Sequence, residues 1–204
     1  MALALFDFDG TITCRDSFAG FIKYLVGKIG FYAGVACLTP VVTGFLLGFI
    51  RAWRAKELMS IFFFHGRDAR KFEESASRYA LEELPRIVRR NAMERIRWHQ
   101  QRGDTVVVVS ASIASWLRGW CEAQCVDLIA TELEVKGGRI SGRFLTRNCS
   151  GREKVRRIAE RYDLSNFDYI YAYGDSPGDG PMLALANERY YRWKRVWPPN
   201  MTTD

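Results

Sequence analysis

Three short apolar runs, each ending on small or acidic residues, set the pattern of this chain. Leu3 to Phe8 is a run broken only by Asp7, and it closes on Asp9-Gly10, which predicts a buried strand feeding a loop. Four consecutive valines, 106–109, follow Gly103-Asp104 and end at Ser110. A run with no polar alternation suits a central parallel strand covered on both faces. Tyr169 to Tyr173 is the third run and ends at Gly174-Asp175. Helical patterns lie between and after these strands. One covers 85–101, opening at Pro85 and stopping at Gly103. Another covers 151–162, behind Ser150-Gly151-Arg152-Glu153, which has the spacing of a capping box. Alternating strands and helices predict an α/β fold with a mostly parallel sheet. Lys136-Gly137-Gly138-Arg139 reads as a hairpin turn or flap.

Residues 17 to about 95 break that rhythm, with several helical patterns and no convincing strand. The expected organisation is therefore an α/β core from 1–16 and 96–204, with an all-helical cap, 17–95, inserted after the first strand. No internal repeat or low-complexity segment interrupts it.

Composition narrows the partners. The chain has 204 residues, a net charge of +7, and nearly half its residues are hydrophobic. A sizeable core is expected and global disorder is not. Much of the positive excess is arginine, at 86, 89, 90, 95 and 97 and again at 152, 156, 157 and 161. Such a surface attracts phosphorylated substrates, anionic membrane or nucleic acid. Zinc-finger spacing, an aromatic RNA-binding signature and a basic tail are all missing, so no nucleic-acid partner is expected. The five cysteines are odd in number and scattered, which points to a reducing compartment. Cys121 and Cys125, four apart on one expected helix face, read as small core residues. Residues 1–10 hold two acidic groups and no basic segment, so no signal peptide is expected.

The candidate chemistry lies at the strand ends, where open parallel sheets bind ligands. In order these are Asp7-Phe8-Asp9-Gly10-Thr11, Ser110, Lys154 in the first turn of a helix, and Gly174-Asp175-Ser176-Pro177-Gly178-Asp179. Each is weak alone, and Asp9-Gly10 or Asp179-Gly180 could be plain turns. Ser150 reads as a helix cap. His65, before Gly66, reads as a helix end, and His99 lies beside none of these segments.

In order and placement these residues resemble the four motifs of the haloacid dehalogenase superfamily. The helical insertion and Asn148-Cys149-Ser150-Gly151-Arg152-Glu153-Lys154 are similar to its phosphoserine-phosphatase-like branch (subfamily IB). The resemblance implies a Rossmann-like sheet and a Mg²⁺-dependent phosphatase working through an aspartyl-phosphate. It implies Asp7 as nucleophile and Asp9 as general acid and base. Mg²⁺ would be held by Asp7, the backbone carbonyl of Asp9, and Asp175. Ser110, Lys154 and Gly10 would bind the phosphoryl group. Thr11 would support the site, and Asp179 would orient Lys154 or reach the metal through water.

The substrate signals divide. Phosphoserine phosphatases carry a glutamate nine residues after the nucleophile, where this chain has Asp16, a candidate substrate contact. They have two glycines after the second-motif serine, where Ala111 and Ser112 stand, and an asparagine in place of Gly178. Ile29 to Ile50 is a stretch of 22 residues with no charge, bounded by Lys28 and Arg51. Its length fits a membrane span. A single span, however, would part Asp7 from Ser110, Lys154 and Asp175, so a simple crossing is incompatible with one active site. Thr39-Pro40 divides the stretch into halves of roughly 15 Å each if helical. Gly30/Gly34 and Gly44/Gly48 are spaced for close helix contact.

Two readings follow. The stretch is a buried helical hairpin in the cap or a cap–cap homodimer contact, or it is an apolar cap that meets a membrane or acyl chains. Arg51, Trp53, Arg54 and Lys56 suit an anionic interface. So does the aromatic and basic run from Tyr190 to Trp197, which otherwise reads as a last edge strand. The apolar cap resembles bacterial phosphatidylglycerophosphatases of the C type and related hydrolases fused to lipid acyltransferases. The expected substrate is thus a phosphorylated lipid such as phosphatidylglycerophosphate, or a phosphorylated small molecule of the phosphoserine type. The expected location is cytoplasmic or peripheral at the inner membrane. The non-enzyme alternative is a membrane-associated scaffold, against which the complete acidic set argues.

Overall fold

The computed structural model describes residues 1–196. Its centre is a six-stranded sheet. β1 (Ala2–Phe6), β2 (Thr105–Ile113), β3 (Asp127–Thr131), β6 (Tyr169–Gly174), β7 (Glu188–Tyr191) and β8 (Lys194–Val196) lie in the order β3-β2-β1-β6-β7-β8. All neighbouring pairs are parallel except β7 with β8. β4 (Leu133–Lys136) and β5 (Arg139–Phe144) form a separate antiparallel flap, turning at Gly137-Gly138 as expected.

The apolar runs are explained by burial on both sides. Strand side chains alternate between faces. Ala4, Phe6, Val106 and Val108 join one core cluster with Ile96 and Trp120. Leu3, Leu5, Val107 and Val109 join the opposite cluster with Ile158, Ala172 and Met182. The helices covering these faces include α5 (Arg90–Gln101), α6 (Ala114–Ala123), α7 (Arg152–Arg161) and α8 (Gly180–Ala184). His99 of α5 is buried, with Nδ1 2.9 Å from Asp104 Oδ2 and Nε2 2.9 Å from the Tyr173 hydroxyl. Burial, against the pull of Asp104, holds its pKa below the usual value. It ties α5 to the sheet.

Between β1 and α5 lie α1 (Ser17–Cys37), α2 (Thr39–Leu46), α3 (Ala52–Phe64) and α4 (Ala69–Glu82). Asp16 caps α1 by accepting from the Ala19 N–H, and Asp68 caps α4 by accepting from that of Lys71. The aromatic rings of Phe21, Phe64, Phe72 and Tyr79 meet Trp116 of α6 or one another edge-on or stacked. The helical layer is thereby held on the core. The flap joins it: Glu57 Oε1 of α3 accepts from the Phe144 N–H at 3.2 Å. Gly142 has φ +79°, and a Cβ there would stand 2.4 Å from Ile61 Cα. Only glycine allows that approach.

Several expectations change. The pattern at 85–101 is not one helix. A short turn at Leu84–Ile87 gives way to extended backbone at Val88 and Arg89 before α5. There Val88 bridges Thr13, the Arg89 N–H donates to Ile12 O, and the Cys14 N–H donates to Ile87 O. Tertiary pairing overrides local propensity. Cys125 lies beyond the end of α6, exposed and at φ +53°, so it shares no helix face with buried Cys121. Ser150 forms no capping box: the N-cap of α7 is Gly151, with no side-chain cap. Glu153 pairs instead with Arg156 and Arg157. As far as Val196, the aromatic and basic run from Tyr190 is a hairpin, turning at Arg192-Trp193 with both φ positive. Trp197 lies outside the described residues.

The apolar stretch is bent and largely uncovered. α1 breaks at Gly27, and α1 and α2 meet at 65°. Phe31 and Gly34 are buried against Phe63, but α2 has no buried residue. Among the described residues no single helix is long and apolar enough to cross a membrane.

Candidate active site

The carboxyl ends of β1, β2 and β6 converge. Asp7 leaves β1 with its N–H bonded to Tyr173 O at 2.9 Å. The chain then makes one wide turn, closed by the Thr13 N–H on Phe8 O at 3.0 Å. That turn requires Gly10 at φ +86°, and a Cβ at Gly10 would stand 2.2 Å from Asp175 Oδ2. Glycine lets the first-strand and sixth-strand loops touch.

Lys154 is the electrostatic hub. Its side chain is buried, and Nζ donates to Asp7 Oδ1, Asp179 Oδ1 and Val109 O, each at 2.6 Å. All three ammonium protons are thus committed. Asp179 Oδ2 accepts from the N–H of Asp175 (3.2 Å), the N–H of Ser176 (3.0 Å) and the Ser176 hydroxyl (2.8 Å). Burial works to raise the Asp179 pKa, but the Lys154 charge and these hydrogen bonds outweigh it and leave it below the usual value. Asp179 therefore orients Lys154 and braces the loop.

Asp9 points the other way, towards the helical layer. Its Oδ1 accepts from the Ser17 N–H at 2.6 Å and its Oδ2 from the Ser112 hydroxyl at 2.5 Å. Burial and the nearby charge of Asp16 raise its pKa, partly offset by Lys56, Ser112 and Ser17. Burial, against the pull of Lys154, pushes Asp7 up to about 7. Asp175 is raised by burial and by Asp179.

The donor set fits a hard divalent cation. Ligand oxygens of Asp7, Asp175 and Asp179 all lie within 4.8 Å of one another. Asp179 has both oxygens taken by Lys154 and Ser176, so Asp7 and Asp175 are the carboxylates with capacity left. Burial is the main cause that raises both pKa values, with Asp179 adding to it, and an oxygen-bound cation would favour their charged forms.

The fold brings together Asp7, Asp9, Gly10, Thr11, Lys154, Asp175 and Asp179. The Thr11 hydroxyl lies 3.5 Å from Asp175 Oδ1. Ser110, at the end of the valine run, is buried and its Oγ accepts from the Ser112 N–H at 3.0 Å. Asp16 is exposed and caps α1, reaching the site only through its field on Asp9. Three residues of the site escape the sequence reading. Ser112 bonds Asp9; Ser17 bonds Ser112 at 3.2 Å; and Lys56 Nζ reaches Ala111 O at 3.2 Å and Ser112 Oγ at 3.4 Å. Only Ser112 had a signal, being two residues beyond Ser110 and so on the same strand face. Gly178 leaves space for Ser150: a Cβ at Gly178 would stand 2.6 Å from Ser150 Oγ.

Residues 4–184 match the haloacid dehalogenase-like hydrolase family. The chain belongs to that family. It is 33% identical to protein CicA of Caulobacter vibrioides, over 96% of this chain and 88% of the relative. Its fold is similar to that of a crystal structure of a Bordetella pertussis Tohama I protein with unknown function (TM-score 0.79, 23% identity, 92% of this chain and 88% of that one). It is also similar to a substrate-bound phosphoserine phosphatase (TM-score 0.64, 18% identity, 92% and 83%). This haloacid dehalogenase-like hydrolase is an enzyme, which sets aside the scaffold reading.

Proposed function

We propose that this hydrolase cleaves phosphomonoesters with Mg²⁺, through an aspartyl-phosphate on Asp7. The observation that carries this reading is the Lys154 hub: one buried ammonium holds Asp7 and Asp179 while Asp7 and Asp175 keep free oxygens side by side. Asp7, Asp175 and the Asp9 carbonyl would hold the Mg²⁺. The ion would supply charge neutralisation between carboxylate and phosphate.

The chain's own groups do the rest. An Asp7 oxygen attacks phosphorus and the ester P–O bond breaks. Asp9, whose raised pKa favours the acid form, donates its proton to the departing alkoxide. Now ionised, Asp9 takes a proton from water, whose oxygen attacks the same phosphorus. The bond to Asp7 breaks and inorganic phosphate leaves. Lys154, Ser110 and the N–H groups of the Gly10 turn offset charge on the phosphoryl oxygens. Helices α1–α4 serve as the cap, and the two chain crossings bridged at Thr13 and Val88 serve as its hinge. Asp7→Asn should abolish turnover of an aryl phosphate, and undiminished activity would sink this mechanism.

For the substrate, the reading is a lipid phosphate such as phosphatidylglycerophosphate, supported by the uncovered apolar face of α2 beside basic residues. A phosphoserine-type small molecule is the second reading, favoured by Lys56 and Asp16 near Asp9. Side-by-side turnover of the two substrates decides between them, and a clear preference for phosphoserine rejects the lipid.

A further inference from the structure

The cap carries a surface that the phosphoryl chemistry does not use. Residues 17–56 contain no Asp or Glu, while Lys23, Lys28, Arg51, Arg54 and Lys56 lie among them. Within this segment the end of α2 and the turn after it present Leu46 (75% exposed), Leu47 (64%) and Phe49 (84%) to solvent. Such a cluster of large apolar side chains at a chain reversal marks an interaction surface. Gly44 lets the turn close: its would-be Cβ meets Ile50, whose N–H donates to Gly44 O at 2.9 Å. The apolar side chains are therefore presented by an ordered turn.

Where the turn ends, a cavity of about 990 Å³ begins. Arg51 and Trp53 line it from the cap, and Arg147 and Arg152 from the core. Among the described residues the guanidinium groups at 51, 147 and 152 make no ion pair or hydrogen bond, unlike those of Arg156 and Arg157 close by. Three unpaired arginines around one hollow call for anions from outside. The cavity also adjoins the catalytic loops, because the N–H of Gly151 in its wall donates to Gly178 O at 2.8 Å.

From this juxtaposition we infer that the α2 turn and the arginine-lined cavity form one docking surface for an anionic lipid bilayer. Leu46, Leu47 and Phe49 enter the acyl boundary, and Arg51, Arg147 and Arg152 bind headgroup phosphates. Charge selects this occupant over a second copy of the chain. In a two-fold contact the patch would face itself, setting Arg51 against its own equivalent, with no Asp or Glu at 17–56 to pair it, while Arg54 is already paired with Glu57. The geometry suits surface seating, since α1 and α2 are bent by 65° at their junction and, among the described residues, no single helix is long and apolar enough to cross. Docking stands apart from the lipid-substrate reading, as an enzyme can sit on a bilayer and hydrolyse a soluble ester.

The test is co-sedimentation with vesicles of phosphatidylcholine alone and of phosphatidylcholine mixed with phosphatidylglycerol. The wild type should bind only the mixed vesicles, more weakly as salt rises. L46S/L47S/F49S should lose binding by at least about tenfold while hydrolysing a soluble aryl phosphate at the wild-type rate. R147A/R152A should lose about 25-fold, at about fivefold per basic residue at an anionic surface. Asp7→Asn, lacking the nucleophile, should bind as the wild type does, which separates failure of docking from failure of the catalytic reading. Equal binding to both vesicle types, no binding, or undiminished binding by the triple variant overturns the inference. So does a solution dimer that the triple variant dissolves.

Discussion

Replacing Lys154 with methionine keeps the bulk of the side chain and removes its charge. The wild-type ammonium has three partners at 2.6 Å, two of them carboxylates, and is almost fully buried. Removing it leaves Asp7 and Asp179 facing each other without a counter-charge and Val109 O without its side-chain donor. Breaking a buried ion pair from one side costs about 3–5 kcal/mol. In a chain of this size that lowers the melting temperature by about 10 °C.

The sign of the pH dependence follows from the same contacts. Lys154 lowers the pKa of both carboxylates. Without it both rise, so the folded variant holds protons at pH values where unfolded carboxylates, near 3.9, have lost them. Stability of the variant then increases as pH falls through that window. The deficit against wild type should be large at pH 8 and shrink towards pH 5. Wild-type Asp179 behaves oppositely: its lowered pKa contributes stability above about pH 4 that is lost on further acidification. Scanning calorimetry of metal-free wild type, K154M and K154M/D179N across this range is the assay. The double variant should recover part of the loss, because it removes one of the stranded charges. A melting temperature unchanged at pH 8, or a deficit that does not depend on pH, would refute the view that Lys154 is a buried counter-ion.

Gly10→Ala should displace Asp175, since its Cβ would stand 2.2 Å from Oδ2 at a positive φ. The Mg²⁺ concentration for half-maximal turnover should rise at least about tenfold. Ser112→Ala removes the hydroxyl that favours ionised Asp9. The acid limb of the pH–rate profile, which in the proposed mechanism needs Asp9 as a base, should move to higher pH. Asp9→Asn should lower kcat by about a hundredfold to ten-thousandfold without unfolding the protein, checked by turnover alongside circular dichroism.

The core strands were legible because they are buried on both faces: Leu3, Leu5, Val107 and Val109 face one layer, and Ala4, Phe6, Val106 and Val108 the other. That leaves an unbroken apolar run in the chain itself. The carboxylates of the candidate site and Lys154 were legible for a related reason. Parallel strands end on one edge, so polar residues that close apolar runs are gathered there whatever the intervening chain does. The 65° bend at Thr39-Pro40 follows a local breaker in the same way.

Tertiary structure alone decided the rest. The extended pair at Thr13 and Val88 interrupts a good helical pattern because the flanking residues bond across 74 intervening positions, the Cys14 N–H to Ile87 O and the Arg89 N–H to Ile12 O. Lys56 and Ser17 enter the site only when the helical layer packs over Asp9, and neither has a local signal. Ser150 makes no capping box, and its hydroxyl lies instead where a Cβ at Gly178 would stand 2.6 Å away. The apolar stretch is the clearest case. Its composition reads equally as core or as surface, and burial depends on what the other helices cover. They cover Phe31 and Gly34 and leave Leu46, Leu47 and Phe49 bare.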